Sequence, residues 1–343
     1  MSEDGRPILA VTMGDAAGIG PEVIVKALAD SRVHRSSRPL VIGDAGTIEA
    51  AVELTGVDAR VLAVHSPAEA RFAPGTIEVL DLANIDLPHL TMGRVSTMAG
   101  QAAFEYIRKA VELSLAGEAA GIVTAPLNKE ALNLAGHPYA GHTEVLADLC
   151  GVRGVVMMLV AGALRVSHVS THVALRVACD RAQRERIVTV GKLTAEATQR
   201  LTGERPRLAV AGLNPHAGEG GLFGREEIEQ IAPAVADLQA AGIDACGPLP
   251  PDTVFLRAAR REFDAVVAMY HDQGHIAVKL LGFDEGVNVT LGLPIVRTSV
   301  DHGTAFDIAW TGVARPDSMV AALLLGAQMA GSARPSSASL ARG

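Results

Sequence analysis

Aromatic residues are scarce in this sequence: phenylalanine, tyrosine and tryptophan together make up 3% of the 343 residues. The interior must therefore be built mainly from alanine, valine, leucine and isoleucine, because the hydrophobic content is still 49%. That composition favours parallel β-strands covered by alanine-rich helices. At this length we expect two domains of ordinary size or one large α/β unit.

The sequence also lacks paired cysteines, a basic cluster and a long apolar run. Its three cysteines, Cys150, Cys179 and Cys246, are widely spaced, which indicates reduced thiols in a cytoplasmic protein. A net charge of −8 without a basic cluster argues against a nucleic-acid-binding surface. Apolar runs such as 154–164 are shorter than the roughly 20 residues that span a bilayer. The acidic N-terminus is unlike a signal peptide, so we expect a cytoplasmic protein with no nucleic-acid or membrane partner.

Short apolar runs alternate with amphipathic segments along most of the chain. This alternation predicts an α/β fold with a mainly parallel sheet. The predicted strands include 7–12, 39–43, 59–64, 77–82, 121–124, 207–211, 265–269 and 287–291, with a hairpin at 155–161 and 164–169. We expect one domain at 1–130 with 295–330, a second at 131–294, and a disordered tail at 331–343.

A glycine-rich turn, MGDAAGIG, follows the first predicted strand and precedes Pro21 at a predicted helix start. A strand, a glycine-rich turn and a helix N-terminus can together bind an anion. The spacing of Gly14, Gly18 and Gly20 nevertheless differs from the GxGxxG of dinucleotide-binding folds. A tight turn without a ligand is an equally good interpretation.

Three histidines occupy the same position relative to a predicted strand. His172, His216 and His271 each follow an apolar run within a few residues. Strand ends of a parallel sheet can converge, and three imidazoles with an open position are typical of a catalytic site for zinc or a similar ion. A lone histidine of this kind is usually an ordinary loop residue. Asp252 or Asp272 could join the ligands or orient one of them.

Further polar residues near these strand ends are candidates for proton transfer and substrate binding. We take Lys279 and Asp252 as candidate catalytic residues, because an ammonium beside a divalent ion can shuttle a proton. Asn288 provides an amide and Arg297 a guanidinium suited to a carboxylate or phosphate, although each could make a structural hydrogen bond instead.

His142 and Thr143 precede a predicted helix at 144–149. Thr143 could cap this helix, or the same hydroxyl and amides could hold a phosphate. Capping would explain Thr143 equally well, but it would not explain His142.

Eight motifs resemble, in order, those of the 4-hydroxythreonine-4-phosphate dehydrogenase family. They are GDAAGIGPE, VTAPLNK, GHTE, STH, GLNPHAGEGG, GPLPPDT, MYHDQGH and TSVDHGTAFDIA, and they cover nearly the whole chain. The resemblance implies the α/β/α fold of the isocitrate and isopropylmalate dehydrogenases, with a cleft between two subdomains. DHGTAFDIA is also similar to the cofactor-binding loop of those enzymes.

The resemblance also implies roles for individual residues. The implied metal ligands are His172, His216 and His271, for one zinc, magnesium, cobalt or manganese ion. The implied substrate contacts are His142, Thr143, Lys279, Asn288 and Arg297. The implied NAD-binding residues are Asp301, His302, Gly303, Thr304 and Asp307. The family is dimeric, so we expect a homodimer whose active sites are shared between subunits.

One position bears on the branch of the family and another on the packing of the cofactor. His275, with the HIAVK that it begins, stands where vitamin B6 pathway enzymes are expected to carry Leu-Pro, so the chain looks closer to the 4-phospho-D-threonate or 4-phospho-D-erythronate 3-dehydrogenases. Trp310 stands where a glycine is expected. We therefore expect NAD-dependent oxidation and decarboxylation of a phosphorylated β-hydroxy acid to dihydroxyacetone phosphate.

Four alternatives stay open. Within the family, they are a 4-hydroxythreonine-4-phosphate dehydrogenase of pyridoxal phosphate biosynthesis and a cis-dihydrodiol dicarboxylate dehydrogenase. The other two belong to different classes, a phosphate acyltransferase and a sugar-phosphate-binding protein. The acyltransferase would not need three histidine ligands, and a metal together with a lysine would be excessive for binding alone.

Overall fold

The computed structural model describes residues 5–282 and 285–331, which form two compact units. The first unit contains residues 5–153 and 293–331, and the second contains residues 154–292. None of the helices in these two units combines the length and the apolar character needed to cross a membrane.

Residues 131–153 pack in the first unit, although the sequence analysis placed them in the second domain. The physical reason includes a close contact between two helices at Gly100. A Cβ atom added to Gly100 would lie 2.1 Å from the Ala131 carbonyl oxygen, so the two backbones touch there. Gly331, the first residue of the predicted tail at 331–343, ends the last helix, and the rest of the tail lies outside the described residues.

A parallel sheet of six strands forms the centre of the first unit. Its strands are β1 (Ile8–Thr12), β2 (Arg38–Gly43), β3 (Arg60–Val64), β4 (Thr76–Asp81), β5 (Gly121–Thr124) and β12 (Val296–Val300). Their order in space is β3-β4-β2-β1-β5-β12, and neighbouring strands run parallel. The helices are α1 (Gly20–Leu28), α2 (Ser31–Ser36), α3 (Ala45–Thr55), α4 (Thr97–Leu115), α5 (Lys129–Leu134), α6 (His142–Leu149) and α12 (Asp317–Gly331).

Strand β1 shows why this sheet could be recognised from apolar runs. Val11 lies opposite Val41 of β2 on one side and Val123 of β5 on the other, and all three side chains are fully buried. A parallel sheet covered by helices on both faces needs apolar side chains on both sides of each strand. Its strands therefore appear as unbroken apolar runs and not as alternating patterns.

The second unit contains a mixed sheet. Its strands are β6 (Val156–Ala161), β7 (Leu164–His168), β8 (Arg207–Ala211), β9 (Asp244–Leu249), β10 (Ala265–Ala268) and β11 (Val287–Leu291), in the order β11-β6-β7-β10-β8-β9. β6 runs antiparallel to β11 and β7, whereas β7, β10, β8 and β9 are parallel. The helices are α7 (Leu175–Arg181), α8 (Arg184–Thr202), α9 (Ala232–Ala240), α10 (Pro251–Ala259) and α11 (His271–Gly282).

The structure confirms the α/β class, the alternation of strands and helices, and the hairpin of β6 and β7. Five short elements were not predicted, namely α2, α5, α7, α10 and β9. The largest difference lies after β10, where α11 begins at His271 and the sequence suggested a polar loop.

The glycine-rich turn after β1 is a close-packed turn. Residues 13–20 are all buried, and a Cβ atom on Gly18 would lie 2.9 Å from the Cβ atom of Thr304. Asp15 and Glu22 also bring two buried carboxyl groups to this turn. Buried acidic groups disfavour an anion, so the structure favours the tight turn over the anion site.

Asp15 is a buried carboxyl group with incomplete hydrogen bonding. Its Oδ1 accepts a hydrogen bond from the Ala17 amide at 2.9 Å, and its Oδ2 is buried without a partner among the described residues. Burial raises the pKa of Asp15 from 3.8 to about 6, although the nearby backbone amides of Ala17 and Asn128 oppose the shift. The ionised form therefore destabilises the folded chain near neutral pH.

We predict that Asp15→Asn stabilises the protein by about 2 kcal/mol above pH ~6. The folded carboxyl keeps its proton to a higher pH than the unfolded one, so the parent loses stability as pH rises from 3.8 to about 6 and no further above that. Urea unfolding at about pH 4 and about pH 7.5 measures the difference. Asp58→Asn, at an exposed carboxyl, is the control. An Asp15→Asn effect of equal size at both pH values would contradict the prediction.

Candidate functional site

The start of α11 is fixed by one amide side chain. Gln273 Oε1 accepts a hydrogen bond from the Met269 amide at 2.7 Å, and Gln273 Nε2 donates to the Gly212 carbonyl at 2.7 Å. Met269 follows β10 and Gly212 follows β8. The first turn of α11 is therefore tied to the ends of two neighbouring strands.

Two of the three predicted metal-binding histidines lie side by side in the second unit. The ring centroids of His172 and His271 are 5.6 Å apart. Both residues line a pocket of about 440 Å³, whose other lining residues are Thr171, Val173, Ala174, Leu175, Ala178, Tyr270 and Asp272. Since zinc–nitrogen bonds are about 2.0–2.1 Å long, two imidazoles at this separation can bind the same ion.

Asp272 orients the His271 ring. The distance from His271 Nδ1 to Asp272 Oδ1 is 2.7 Å. An ionised carboxylate only accepts hydrogen bonds, so Nδ1 carries a proton and Nε2 is the nitrogen left to bind a metal ion. Histidine ligands of metal sites are commonly oriented by such a carboxylate. Of the two aspartates that the sequence offers for this role, Asp272 makes the contact with a predicted ligand. Asp252 lies exposed in the first turn of α10.

The third predicted ligand, His216, is exposed on a separate turn of the same unit. In the part of the chain that the structure describes, no group of three or more His, Cys, Asp or Glu side chains is arranged to hold a metal ion. His172 and His271 thus fit two positions of a divalent-metal site, and one described chain does not complete it. The three-histidine set stays a prediction.

The turn that carries His216 has a strained backbone. φ is 54° at His216 and 44° at Glu219, a region that costs a non-glycine residue about 1–2 kcal/mol. The buried Glu227 stabilises the turn: its Oε1 accepts hydrogen bonds from the amides of Leu213 (2.8 Å) and Asn214 (2.7 Å), and its Oε2 accepts one from Asn214 Nδ2 (2.9 Å). Backbone strain held in this way is common at functional sites.

We predict that Glu227→Ala loosens this turn. The substitution leaves the amides of Leu213 and Asn214 without their acceptor, at a cost of about 1–3 kcal/mol for each buried group. Unfolding free energy should fall by about 2–4 kcal/mol, and amide hydrogen exchange at 213–220 should become faster. Glu229→Ala breaks only an exposed ion pair with Arg225 and is the matched control. Unchanged exchange in Glu227→Ala would contradict the anchoring role.

Lys279 and Asn288, two predicted substrate contacts, are half-buried in the second unit. Lys279 lies on α11, which packs against β6 and β7, and Asn288 lies on β11. The Asn288 Oδ1 atom is buried and has no hydrogen-bond donor within residues 5–282 and 285–331. A buried acceptor without a donor is costly, so this atom is a good candidate for a ligand contact.

Arg297 places a buried positive charge in the first unit. It is 2% exposed, and its Nη2 donates a hydrogen bond to Thr124 Oγ1 at 2.7 Å. Burial lowers the pKa of Arg297 to about 9, and the charge of Glu144 opposes that shift. The guanidinium therefore stays charged at neutral pH, and a bound anion would form charge-assisted hydrogen bonds with it.

His142 is neutral beside this charge. Burial, together with the charges of Arg297 and Lys129, holds the pKa of His142 well below its usual range, although a hydrogen bond with the Ala125 backbone opposes the shift. Its Nε2 is buried without a partner in the described structure, so Nδ1 donates to the Ala125 carbonyl. His142 therefore presents an acceptor nitrogen to any ligand.

Thr143 does not cap α6. The helix begins at His142, its N-cap is Gly141, and no side chain caps it. Both His142 and Thr143 therefore lie in the first turn of the helix and not before it. The capping interpretation of Thr143 is wrong, because the helix starts earlier than the apolar pattern suggests.

The predicted cofactor loop packs against the glycine-rich turn of the first unit. The buried Thr304 accepts a hydrogen bond from the Ile19 amide at 3.1 Å through its carbonyl oxygen. The other predicted cofactor residues are accessible: Asp301 is half-buried, and His302, Gly303 and Asp307 are exposed. This loop is thus held at one residue and open to a ligand at the others.

Trp310 ends this segment in a left-handed conformation. Its φ is 60°, which explains why a glycine is expected at this position. The indole Nε1 donates a hydrogen bond to the Ala16 carbonyl at 2.9 Å. That bond offsets part of the strain and links the cofactor loop to the glycine-rich turn.

Comparisons with known proteins identify the family of this chain. A family model described as pyridoxal phosphate biosynthetic protein PdxA matches residues 35–326. The chain belongs to the PdxA family. A D-threonate 4-phosphate dehydrogenase from Pectobacterium atrosepticum is 52% identical over 94% of this chain and 99% of its own length. A 4-hydroxythreonine-4-phosphate dehydrogenase from Desulforapulum autotrophicum is 46% identical over 95% and 96%.

A solved member of the PdxA family has the same fold. The crystal structure of a 4-hydroxythreonine-4-phosphate dehydrogenase from Burkholderia phymatum is 51% identical, with a TM-score of 0.85 over 94% of this chain and 98% of that one. The family resemblance is therefore confirmed. The protein is an oxidoreductase that acts on a CH–OH group of a phosphorylated hydroxy acid.

Two further histidines lie beside His271, and the sequence alone assigns neither of them a role in the site. His168 closes β7 and is buried, and His275 lies on α11. His168 was missed because it sits in an apolar strand pattern. His275 could have been found from the sequence. His271, His275 and Lys279 recur at every fourth residue, so they would share one face of a helix.

Proposed function

We propose that this PdxA-family protein uses NAD to oxidise and decarboxylate 4-phospho-D-threonate, or 4-phospho-D-erythronate, to dihydroxyacetone phosphate and carbon dioxide. The observation that carries the proposal is 52% identity, over nearly the full length, to relatives named D-threonate 4-phosphate dehydrogenase. The second candidate is 4-hydroxythreonine 4-phosphate, because a solved structure named for that activity is 51% identical.

In the first unit, we assign the anionic end of the substrate to Arg297. Its buried charge suits a phosphate or a carboxylate, and the two assignments could be exchanged. The unpartnered Nε2 of His142 would accept a hydrogen bond from a substrate hydroxyl, and Thr143 would contact the phosphate. We assign NAD to the loop at 301–307, where exposed polar side chains surround the buried Thr304.

In the second unit, we assign one zinc, magnesium, cobalt or manganese ion to His172 and His271, with His216 as the third ligand. When bound, such an ion polarises a substrate oxygen. Lys279 would transfer the proton of the substrate hydroxyl, with Asp252 as a further candidate for proton transfer. The buried Oδ1 of Asn288 would accept a hydrogen bond from a second hydroxyl.

We further propose that the protein is a homodimer with shared sites. Support comes from apolar side chains exposed on α10, on α11 and after the His216 turn: Leu256 (55%), Ile276 (60%), Leu280 (82%) and Leu222 (75%). Exposed apolar residues on neighbouring elements are typical of protein interfaces. A partner subunit bound here would lie close to the turn that carries His216. Within one chain, His216 is separate from His172 and His271.

The substrate assay combines the protein, NAD, a divalent ion and 4-phospho-D-threonate, and it follows the absorbance of reduced nicotinamide. We expect one reduced nicotinamide and one carbon dioxide for each dihydroxyacetone phosphate. Arg297→Ala should lower kcat/KM by about 100-fold or more, because it removes a buried charged contact. Arg184→Ala, at an exposed ion pair, is the control. A signal only with 4-phosphohydroxy-L-threonine would select the second candidate, and no signal with either substrate would sink the proposal.

We predict that Leu280→Glu converts the homodimer to monomers. A charge at a buried apolar contact costs several kcal/mol, which exceeds what a single contact contributes to association. Sedimentation velocity of the parent and the variant measures the change. Leu134→Glu, at another exposed leucine (60%) but in the first unit, is the matched control. A parent that sediments as a monomer would contradict the dimer.

A further inference from the structure

His168 and His275 form a buried imidazole pair in the second unit. Their exposures are 1% and 7%, and His168 Nε2 lies 3.2 Å from His275 Nδ1. Gly274 makes room for this contact, because a Cβ atom at that position would lie 2.4 Å from His168 Nε2. A glycine at position 274 therefore allows His168 to approach His275.

The proton of His168 can be placed from its contacts. Its Nδ1 lies 3.4 Å from the Met157 carbonyl oxygen, which can only accept a hydrogen bond. Burial and the neighbouring His275 also lower the pKa of His168 to about 3, which agrees with the single proton that these contacts place on the ring. That proton is on Nδ1, and Nε2 is an acceptor.

The proton of His275 follows from that of His168. His275 Nδ1 faces two acceptors, His168 Nε2 at 3.2 Å and the His271 carbonyl oxygen at 3.1 Å. The Nδ1 of His275 must therefore carry a proton. Hydrogen bonds then run in one direction, from His275 to His168 and from His168 to Met157.

The His275 ring in turn covers one face of His271. The two ring centroids are 3.5 Å apart and the planes differ by 14°. Asp272 holds the edge of the same His271 ring through Nδ1. His271 is thus fixed from one face and from one edge, and its Nε2 stays available as a ligand.

We propose that His275 is a positioning residue that His168 locks in one tautomer, and that it holds the His271 imidazole in the orientation a divalent ion requires. The proposal rests on the proposed metal function and not on the identity of the substrate. The His168 ring is closer to His275 than to His271, with centroids 4.7 Å and 6.4 Å apart, so we expect His168 to act mainly through His275. Residues that support a metal ligand from the outer shell typically contribute 10–100-fold to metal affinity.

Zinc and cobalt affinities, measured by competition with a chelator, test this unit. We expect His275→Leu to lower affinity by roughly 10–100-fold. The His168→Leu/His275→Leu double variant should come close to His275→Leu alone, because the His168 ring reaches His271 only at a centroid distance of 6.4 Å whereas His275 stacks on it at 3.5 Å. His89→Asn, at an exposed histidine (82%), is the control. Additive losses in the double variant, or affinity within about twofold of the parent in His275→Leu, would overturn the proposal.

Nitrogen NMR of the imidazole rings tests the positioning without a metal. In the parent, we expect Nδ1–H tautomers at His168, His271 and His275. In His275→Leu, or in His275→Phe if the leucine variant does not fold, we expect His271 to lose its single tautomer or its sharp resonances. A His271 spectrum that His275 variants leave unchanged would refute the positioning role. If these results hold but neither phosphorylated substrate reacts, only the substrate proposal fails.

Discussion

The second unit depends on the two hydrogen bonds that fix the start of α11. Gln273 accepts from the amide that follows β10 and donates to the carbonyl that follows β8, so the helix cannot slide along the sheet without breaking both. His271, His275 and Lys279 share one face of that helix. The side-chain amide of Gln273 therefore fixes the positions of all three residues at once. The polar sequence after β10 is held in place because it forms the first turn of this helix.

Two buried carboxyl groups illustrate opposite ways in which this chain handles charge. Glu227 meets three N–H donors and stabilises a left-handed turn, so its desolvation is compensated by charge-assisted hydrogen bonds. Asp15 leaves one oxygen without a donor, and the pKa of its carboxyl rises to about 6. Both carboxyl groups are buried, so the number of hydrogen-bond donors around each one decides whether its ionised form stabilises or destabilises the fold.

Much of the fold could be predicted from the sequence, because strands such as β1 and β5 are unbroken apolar runs buried on both faces. The start of α11 could not, since its first turn is polar and resembles a loop. The conformation of His216 depends on Glu227, and the role of His168 depends on His275, and neither distant contact leaves a local pattern. The arrangement of His172 and His271 agreed with the expected convergence of strand ends, whereas the exposed His216 stayed apart.

The scarcity of aromatic residues gives Trp310 a use that is independent of its structural role. It is the only tryptophan in the sequence, and its indole is half-buried and hydrogen-bonded to Ala16. Indole emission depends on local polarity and hydrogen bonding, so the ultraviolet-excited fluorescence of the whole protein arises mainly from the end of one loop. The chain thus carries a built-in optical reporter for the segment that follows residues 301–307, with no need for an added label.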